Sequence, residues 1–345
     1  MKKLLTTTAI AGLVICGSAN AQTTISGELR LTLKGIAADG TTGQSVRGIG
    51  NEQQINVQTK GKLNNGLDYA AGFSIENDGE QTGTIFNENV YMDFTSGNTT
   101  LSIGKDHIQR SDSDSVLAQT FGLSPYDTQA KSNSLSANGT TTLFAQSPGA
   151  KPGQSYGIAV LQNIPNIGKV SLNYVPNNGQ DATSESEGLN DTSAESAYEI
   201  GFVGNLGVNG LTVKAFHNQE KMNDGNVQKA KANAYSLQYA TGAASFGIAR
   251  KDFNAASTSA TSIDQTVTEY AVAYAINKDV TIGVNYGVAK KDGTALNEKA
   301  KSLQLGYNLG PVAMVAGVSQ NDNIGGSSAA ADDSKSAFLR FIGAF

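Results

Sequence analysis

The chain has 345 residues, 25 of them basic and 30 acidic, with two histidines, one cysteine and no tryptophan, and its formal net charge is −5. A mildly acidic sequence without a basic tract offers no electrostatic footprint for nucleic acid. One cysteine cannot form a disulfide framework within the chain, and no stretch after residue 21 is long and apolar enough to cross a membrane as a helix.

The first segment, "MKKLLTTTAIAGLVICGSANAQ", runs from two lysines through an apolar stretch, Ala9 to Ile15, to small residues ending in Ala19-Asn20-Ala21. That order predicts a secretory signal peptide over 1–21, cleaved after Ala21. The apolar run is far short of the roughly 20 residues of a membrane anchor. Bulky Ile15 before Cys16 argues against a lipoprotein cleavage site. Removing Cys16 with the leader leaves no cysteine, and removing Lys2 and Lys3 leaves 23 basic and 30 acidic residues, a formal charge of −7. The remaining stretch, 22–345, is short enough to form one large barrel domain.

From Gln22 onward the dominant period is two. "ISGELRLTL" places Ile25, Gly27, Leu29, Leu31 and Leu33 on one face and Glu28, Arg30 and Thr32 on the other; "LDYAAGFSI" and "VTIGVNYGV" repeat the pattern. Such alternation predicts strands between two different environments. Short connections at 64–66, 96–98, 207–209, 241–243, 277–278 and 309–310 alternate with long polar ones at about 36–50, 77–86, 177–195, 254–265 and 321–334. All short turns then lie at one end and all long loops at the other, the signature of a transmembrane β-barrel. A naive count reaches seventeen strands because "TTTLFAQ" (140–146) also alternates. Two termini on the same side require an even number, so 140–146 is assigned to a long third loop, about 107–153, and sixteen antiparallel strands remain.

Charge and aromatic placement agree. On the apolar parity no charge falls in the middle of a strand, and Lys231, Arg250 and Lys301 sit near the long loops. The other parity carries Glu28, Arg30, Lys60, Asp68, Glu76, Asp93, Glu199, Lys214, Glu269 and Arg340, so that face is wet. A lysine or arginine facing lipid at mid-bilayer would cost about 2–4 kcal/mol. Tyr69, Phe94, Phe202, Tyr239, Tyr274 and Tyr307 lie on the apolar parity near short turns, and Tyr198, Tyr235, Tyr270 and Tyr286 lie nearer the long loops. Two interfacial aromatic belts are predicted.

Sixteen strands leave an open interior. The leader ending in Ala-Gln, the sixteen-strand rhythm, the long third loop, the stretch "IPNIGKVSLNYVPNN" (164–178) and the ending "SAFLRFIGAF" together resemble the general, trimeric porins of Gram-negative outer membranes. The resemblance implies passive diffusion of small hydrophilic solutes and ions, no cofactor, a homotrimer in the outer-membrane bilayer, and a third loop folded into the lumen. It also implies that loop acids face a basic cluster on the wall. Arg30, Lys60 and Arg340, on the first, second and last strands, are the candidates for the cluster; Asp112, Asp114 and Asp127 are the candidate loop acids. The third loop lacks a "PEFGG"-type tip, which leaves open which aspartate reaches the constriction. Phe341 and Phe345 match the terminal aromatic signal that the outer-membrane assembly machinery reads in this family, on a last strand that closes against Gln22–Gly35. A substrate-specific channel, or a barrel serving as adhesin or envelope anchor, are the alternative functions.

Catalytic readings find little. His107 stands beside Asp106 with Ser111 nearby, and His217 lies near Lys214, but neither comes with a nucleophile elbow or a metal-binding histidine pair. "SDSDS" (111–115) lacks the glycine and distal glutamate of a calcium loop and reads as the capped start of a short helix.

Overall fold

Alternating sequences of this kind form strands because only an extended backbone sends successive side chains to opposite faces. The computed structural model describes residues 22–38, 46–77, 86–104, 143–144, 156–176, 196–220, 229–254, 264–328 and 333–345. The first quarter of the wall comprises β1 (Gln22–Ala38), β2 (Val46–Lys62), β3 (Asp68–Asn77) and β4 (Phe86–Ser96). β5 (Thr99–Gly104), β6 (Gly157–Ile164), β7 (Gly168–Val175) and β8 (Ala197–Gly204) follow. Next come β9 (Leu211–Glu220), β10 (Lys231–Thr241), β11 (Ala244–Asn254) and β12 (Asp264–Ala275). The last four are β13 (Val280–Lys291), β14 (Glu298–Asn308), β15 (Val312–Asp322) and β16 (Ser334–Ala344).

Each strand pairs antiparallel with its chain neighbour, and β16 pairs with β1, closing the sheet into a sixteen-stranded barrel. Closure removes every sheet edge, the condition for strands to span lipid with their backbone groups paired. Connections such as 63–67, 97–98, 242–243 and 309–311 are tight and lie at one end; the longer ones lie at the other. At Gly97 and Gly242 the positive φ of 57° is that of the primed hairpin turns whose twist matches the flanking strands.

Burial alternates most cleanly along β14. Along β14, Glu298, Ala300, Ser302 and Gln304 are buried on the lumen side, while Lys299, Lys301, Leu303, Leu305 and Tyr307 point outward. The outer surface presents large apolar side chains around the circumference, among them Leu31, Ile200, Leu237, Ile248 and Val284. Left in water such a surface is costly at about 25 cal/mol per Å²; a bilayer removes that cost. The predicted belts are present: Tyr69 pairs with Phe94 and Tyr239 with Phe246 near the short turns. Nearer the long loops Tyr270 stacks on Tyr286, ring centroids 6.4 Å apart.

Two features go beyond the sequence reading. The lumen also holds aromatic rings, each above a cross-strand glycine: Tyr91 over Gly72, Phe216 over Gly201 and Phe338 over Gly317. A β-carbon on those glycines would lie 2.9, 2.6 and 2.5 Å from the respective ring, so the absent side chain lets the ring lean onto the wall. The closing seam is also shifted. β16 pairs with β1 from Glu28↔Ala344 to Ala38↔Ser334, so of the expected span Gln22–Gly35 the part from Glu28 is paired, while Gln22–Ser26 pair with β2 alone. Tilted strands in a closed barrel must accumulate such a stagger.

Candidate functional site

The candidate site is the luminal wall. On β1, Arg30 Nη1 donates to Glu52 Oε1 of β2 at 2.5 Å, and its Nε donates to Glu28 on its own strand. Glu28 and Arg30 share a face because they are two residues apart, and Glu52 arrives because it stands opposite Arg30 in the register. Arg340 of β16 stands opposite Thr32, and its Nε donates to Thr32 Oγ1 at 3.0 Å. The two arginines are therefore on adjacent strands one luminal position apart. Lys60 is elsewhere: it stands opposite Gln22 and Ala70, eight residues along β2 from Glu52, or ~26 Å of strand. There it lines a hollow of about 640 Å³ at the short-turn mouth with Asp68 and Asp93. The sequence reading missed Glu52 as a partner of Arg30. Asp112, Asp114, Asp127, His107 and the 111–115 stretch lie outside the described residues.

Within the connection between β5 and β6, the described pair Leu143 and Phe144 forms a turn and no strand, as the even strand count required. They rest on the luminal face of β10–β14, about half the circumference away from β5 and β6. Leu143 N–H donates to Glu298 Oε2 at 2.6 Å, and Gln265 Nε2 donates to the Leu143 carbonyl. Glu298, fully buried, also accepts from the Gly325 N–H at 3.0 Å, so one carboxylate ties Leu143 to the 3-10 turn Ile324–Gly326 beyond β15. Phe144 packs with Ala232, Phe253, Val267, Ala289 and Ala300, and its ring lies 2.6 Å from where a β-carbon on Gly287 would be. Alanine and glycine at luminal positions of β10, β13 and β14 make this niche and were the available sequence signal. Gly287→Val should evict Phe144, with an overpacking cost of about 1–3 kcal/mol. The expected readout is a raised and noisier single-channel current; an unaltered trace would show that Phe144 does not narrow the conducting path.

Of the two histidines only His217 is among the described residues. His217 points outward, its Nδ1 2.8 Å from Asn233 Oδ1 and its ring 6.0 Å from that of Tyr198. Among the described residues no group of three or more histidine, cysteine, aspartate or glutamate side chains could hold a metal ion.

A closed barrel with an apolar exterior, two aromatic belts and an interior wall of polar and charged side chains is a transmembrane channel of the porin type. The sequence profile of Gram-negative porins matches residues 6–326, and the chain belongs to that family: it is an outer-membrane channel for passive diffusion. An anion-selective porin from Comamonas acidovorans superposes with a TM-score of 0.66 at 12% identity, covering 94% of this chain and 100% of that one. The in-vitro folded OmpT of Vibrio cholerae in its trimer form gives 0.63 at 14%, covering 94% and 99%. A triple mutant of the Rhodopseudomonas blastica porin gives 0.62 at 15%, covering 94% and 100%. At these identities the likeness concerns the fold. The search of curated proteins gives no match.

Proposed function

We propose that the chain forms a weakly selective, non-enzymatic diffusion pore that works as a homotrimer. The observation that carries the selectivity reading is Arg30 held between Glu28 and Glu52: its positive charge is matched on its own wall, so the strip is less basic than Arg30 and Arg340 alone would make it. With a screening length of about 8 Å at physiological salt, only such local balances at narrow points bias ions. The 105–156 connection enters the lumen, supported by the Leu143–Phe144 contacts on the far wall. Asp112, Asp114 and Asp127 on that connection supply the acids facing Arg30 and Arg340. Export depends on residues 1–21 as a leader removed after Ala21, and insertion depends on the assembly machinery reading Phe341 and Phe345.

Planar-bilayer recording of the purified protein tests the central reading. Conductance is expected to rise in groups of three equal steps, to scale with bulk electrolyte and to resist saturation by small sugars. Absent conductance would overturn the pore and favour an envelope anchor. Saturable block by one solute would replace it with a dedicated channel, and single unlinked steps would overturn the trimer.

A further inference from the structure

The hollow of about 640 Å³ at the short-turn mouth plays no part in the charge balance around Arg30. The register builds it around one small residue. Ala70 of β3 stands between Lys60 of β2 and Asp93 of β4 in a single luminal row. The next luminal residue of β3 toward the turn is Asp68, with Lys62 opposite it on β2 and Thr95 opposite it on β4. In the other direction comes Gly72, over which the Tyr91 ring lies, so the deep side of the hollow meets an aromatic wall.

Charges of both signs therefore face one another across a methyl group. Neighbouring strands lie about 4.8 Å apart, which separates the Cα atoms of Lys60 and Asp93 by ~10 Å. Lysine is a point charge on a flexible four-carbon stem, so its ammonium can adjust to what lies between. Among the described residues Lys60 makes no hydrogen bond or ion pair, and it is exposed. Asp68 is held by Lys62 at 2.6 Å, in a pair whose side chains are more than half exposed. A pair so placed is weak and exchanges with another ammonium. Lys60 and Lys62 against Asp68 and Asp93 leave no net charge, so a simple ion gains little by staying. A solute with one charge of each sign meets a partner at both ends, and a dipeptide spans at most ~7 Å, which the gap accommodates.

We propose that this hollow receives zwitterionic solutes, free amino acids and short peptides, with the carboxylate on Lys60 and the ammonium between Asp68 and Asp93. The site rests on the reading of the chain as a diffusion pore and names a solute class that its short-turn mouth concentrates. Capture is weak by construction. A unit-charge contact in water changes occupancy about fivefold, and screening over about 8 Å confines that gain to solutes inside the hollow, so diffusion is biased and not blocked.

Swelling of liposomes reconstituted with the purified protein tests it, with glycylglycine as the zwitterion and N-acetylglycinamide as an uncharged solute of similar size. The ratio of the two rates should fall about twofold or more in Lys60→Ala, and as far in Asp68→Asn combined with Asp93→Asn. The rate for N-acetylglycinamide should stay at the wild-type value in each variant, which also shows that the variant has folded as a channel. Exchange of the charges, Lys60→Asp with Asp93→Lys, keeps both signs beside Ala70 and should retain most of the preference, because a zwitterion can turn end for end. If the exchanged variant does not fold, the first two variants carry the test. Lys169→Ala, exposed near the short-turn end of β7 and outside the hollow, should match the wild type. An unchanged ratio in Lys60→Ala, or an equal loss in Lys169→Ala, would overturn the site. So would a Lys60→Ala variant that slows anionic N-acetylglycine but not glycylglycine, which would reduce Lys60 to an attractor of anions. Wild-type liposomes that swell with neither solute would overturn the pore itself, so the two failures are distinct.

Discussion

Removal of Phe345 should cut the yield of folded barrel several-fold. The residue holds the short-turn end of the closing seam: Gly27 N–H donates to the Phe345 carbonyl at 2.8 Å, and Phe345 N–H donates to the Gly27 carbonyl at 3.0 Å. Its ring occupies the space where a side chain on Gly27 would be, on the outer face, and is 66% exposed toward the surrounding lipid. Deletion loses two backbone hydrogen bonds, each worth about 0.5–1.5 kcal/mol net in water, and leaves polar groups facing hydrocarbon, where an unsatisfied pair costs several kcal/mol. The seam is also the contact between the two ends of the chain, so the whole wall must be in place before it forms, and a weakened seam leaves unclosed edges. Comparison of unheated and boiled samples by gel mobility in the outer-membrane fraction measures the folded share. Phe345→Tyr should retain it, and Gly27→Val, which displaces the ring, should reproduce part of the loss. A deletion that folds as well as the wild type would remove Phe345 from both the seam and the assembly signal.

Parity explains what was legible in the sequence. It fixes which face each residue occupies, so the outward aromatics and the luminal position of Arg30 and Arg340 follow from a period of two, while the exclusion of 140–146 follows from the even number of strands that a barrel with both termini on one side requires. Height and neighbours do not follow, because both depend on register. Lys60 shares the luminal parity with Arg30, yet strand stagger puts it near the short-turn mouth. Glu52 reaches Arg30 only because the register of β1 on β2 sets Glu52 opposite it. The seating of Leu143 on Glu298 joins residues 155 apart in the chain. Its niche becomes visible once Ala232, Gly287, Ala289 and Ala300 are known to face the same part of the lumen. Luminal phenylalanines such as Phe216 and Phe338 look misplaced in a wet interior until their glycine partners, Gly201 and Gly317, are seen opposite them.

Arg30→Ala should move the zero-current potential in a salt gradient toward cations. The wild-type group at this height is one guanidinium and two carboxylates, Arg30 with Glu28 and Glu52; the variant keeps the two negative charges and removes the positive one. One unit charge at about 8 Å in water is worth roughly 0.5 kcal/mol, enough to raise local cation occupancy and lower anion occupancy about twofold each. Screening over a similar distance confines the effect to ions passing close to the wall. Glu52→Gln should move the potential the other way, and Arg30→Ala combined with Glu52→Gln should return it near the wild-type value, because the local balance of one net negative charge is restored. Arg340→Ala should also favour cations, since it removes a positive charge from the luminal face one position from Arg30. Lys60→Ala, near the mouth beside Asp68 and Asp93, should shift the potential least. If Arg30→Ala leaves the potential unchanged while Arg340→Ala moves it, the ion path runs past β16 and not past the Glu28–Arg30–Glu52 group.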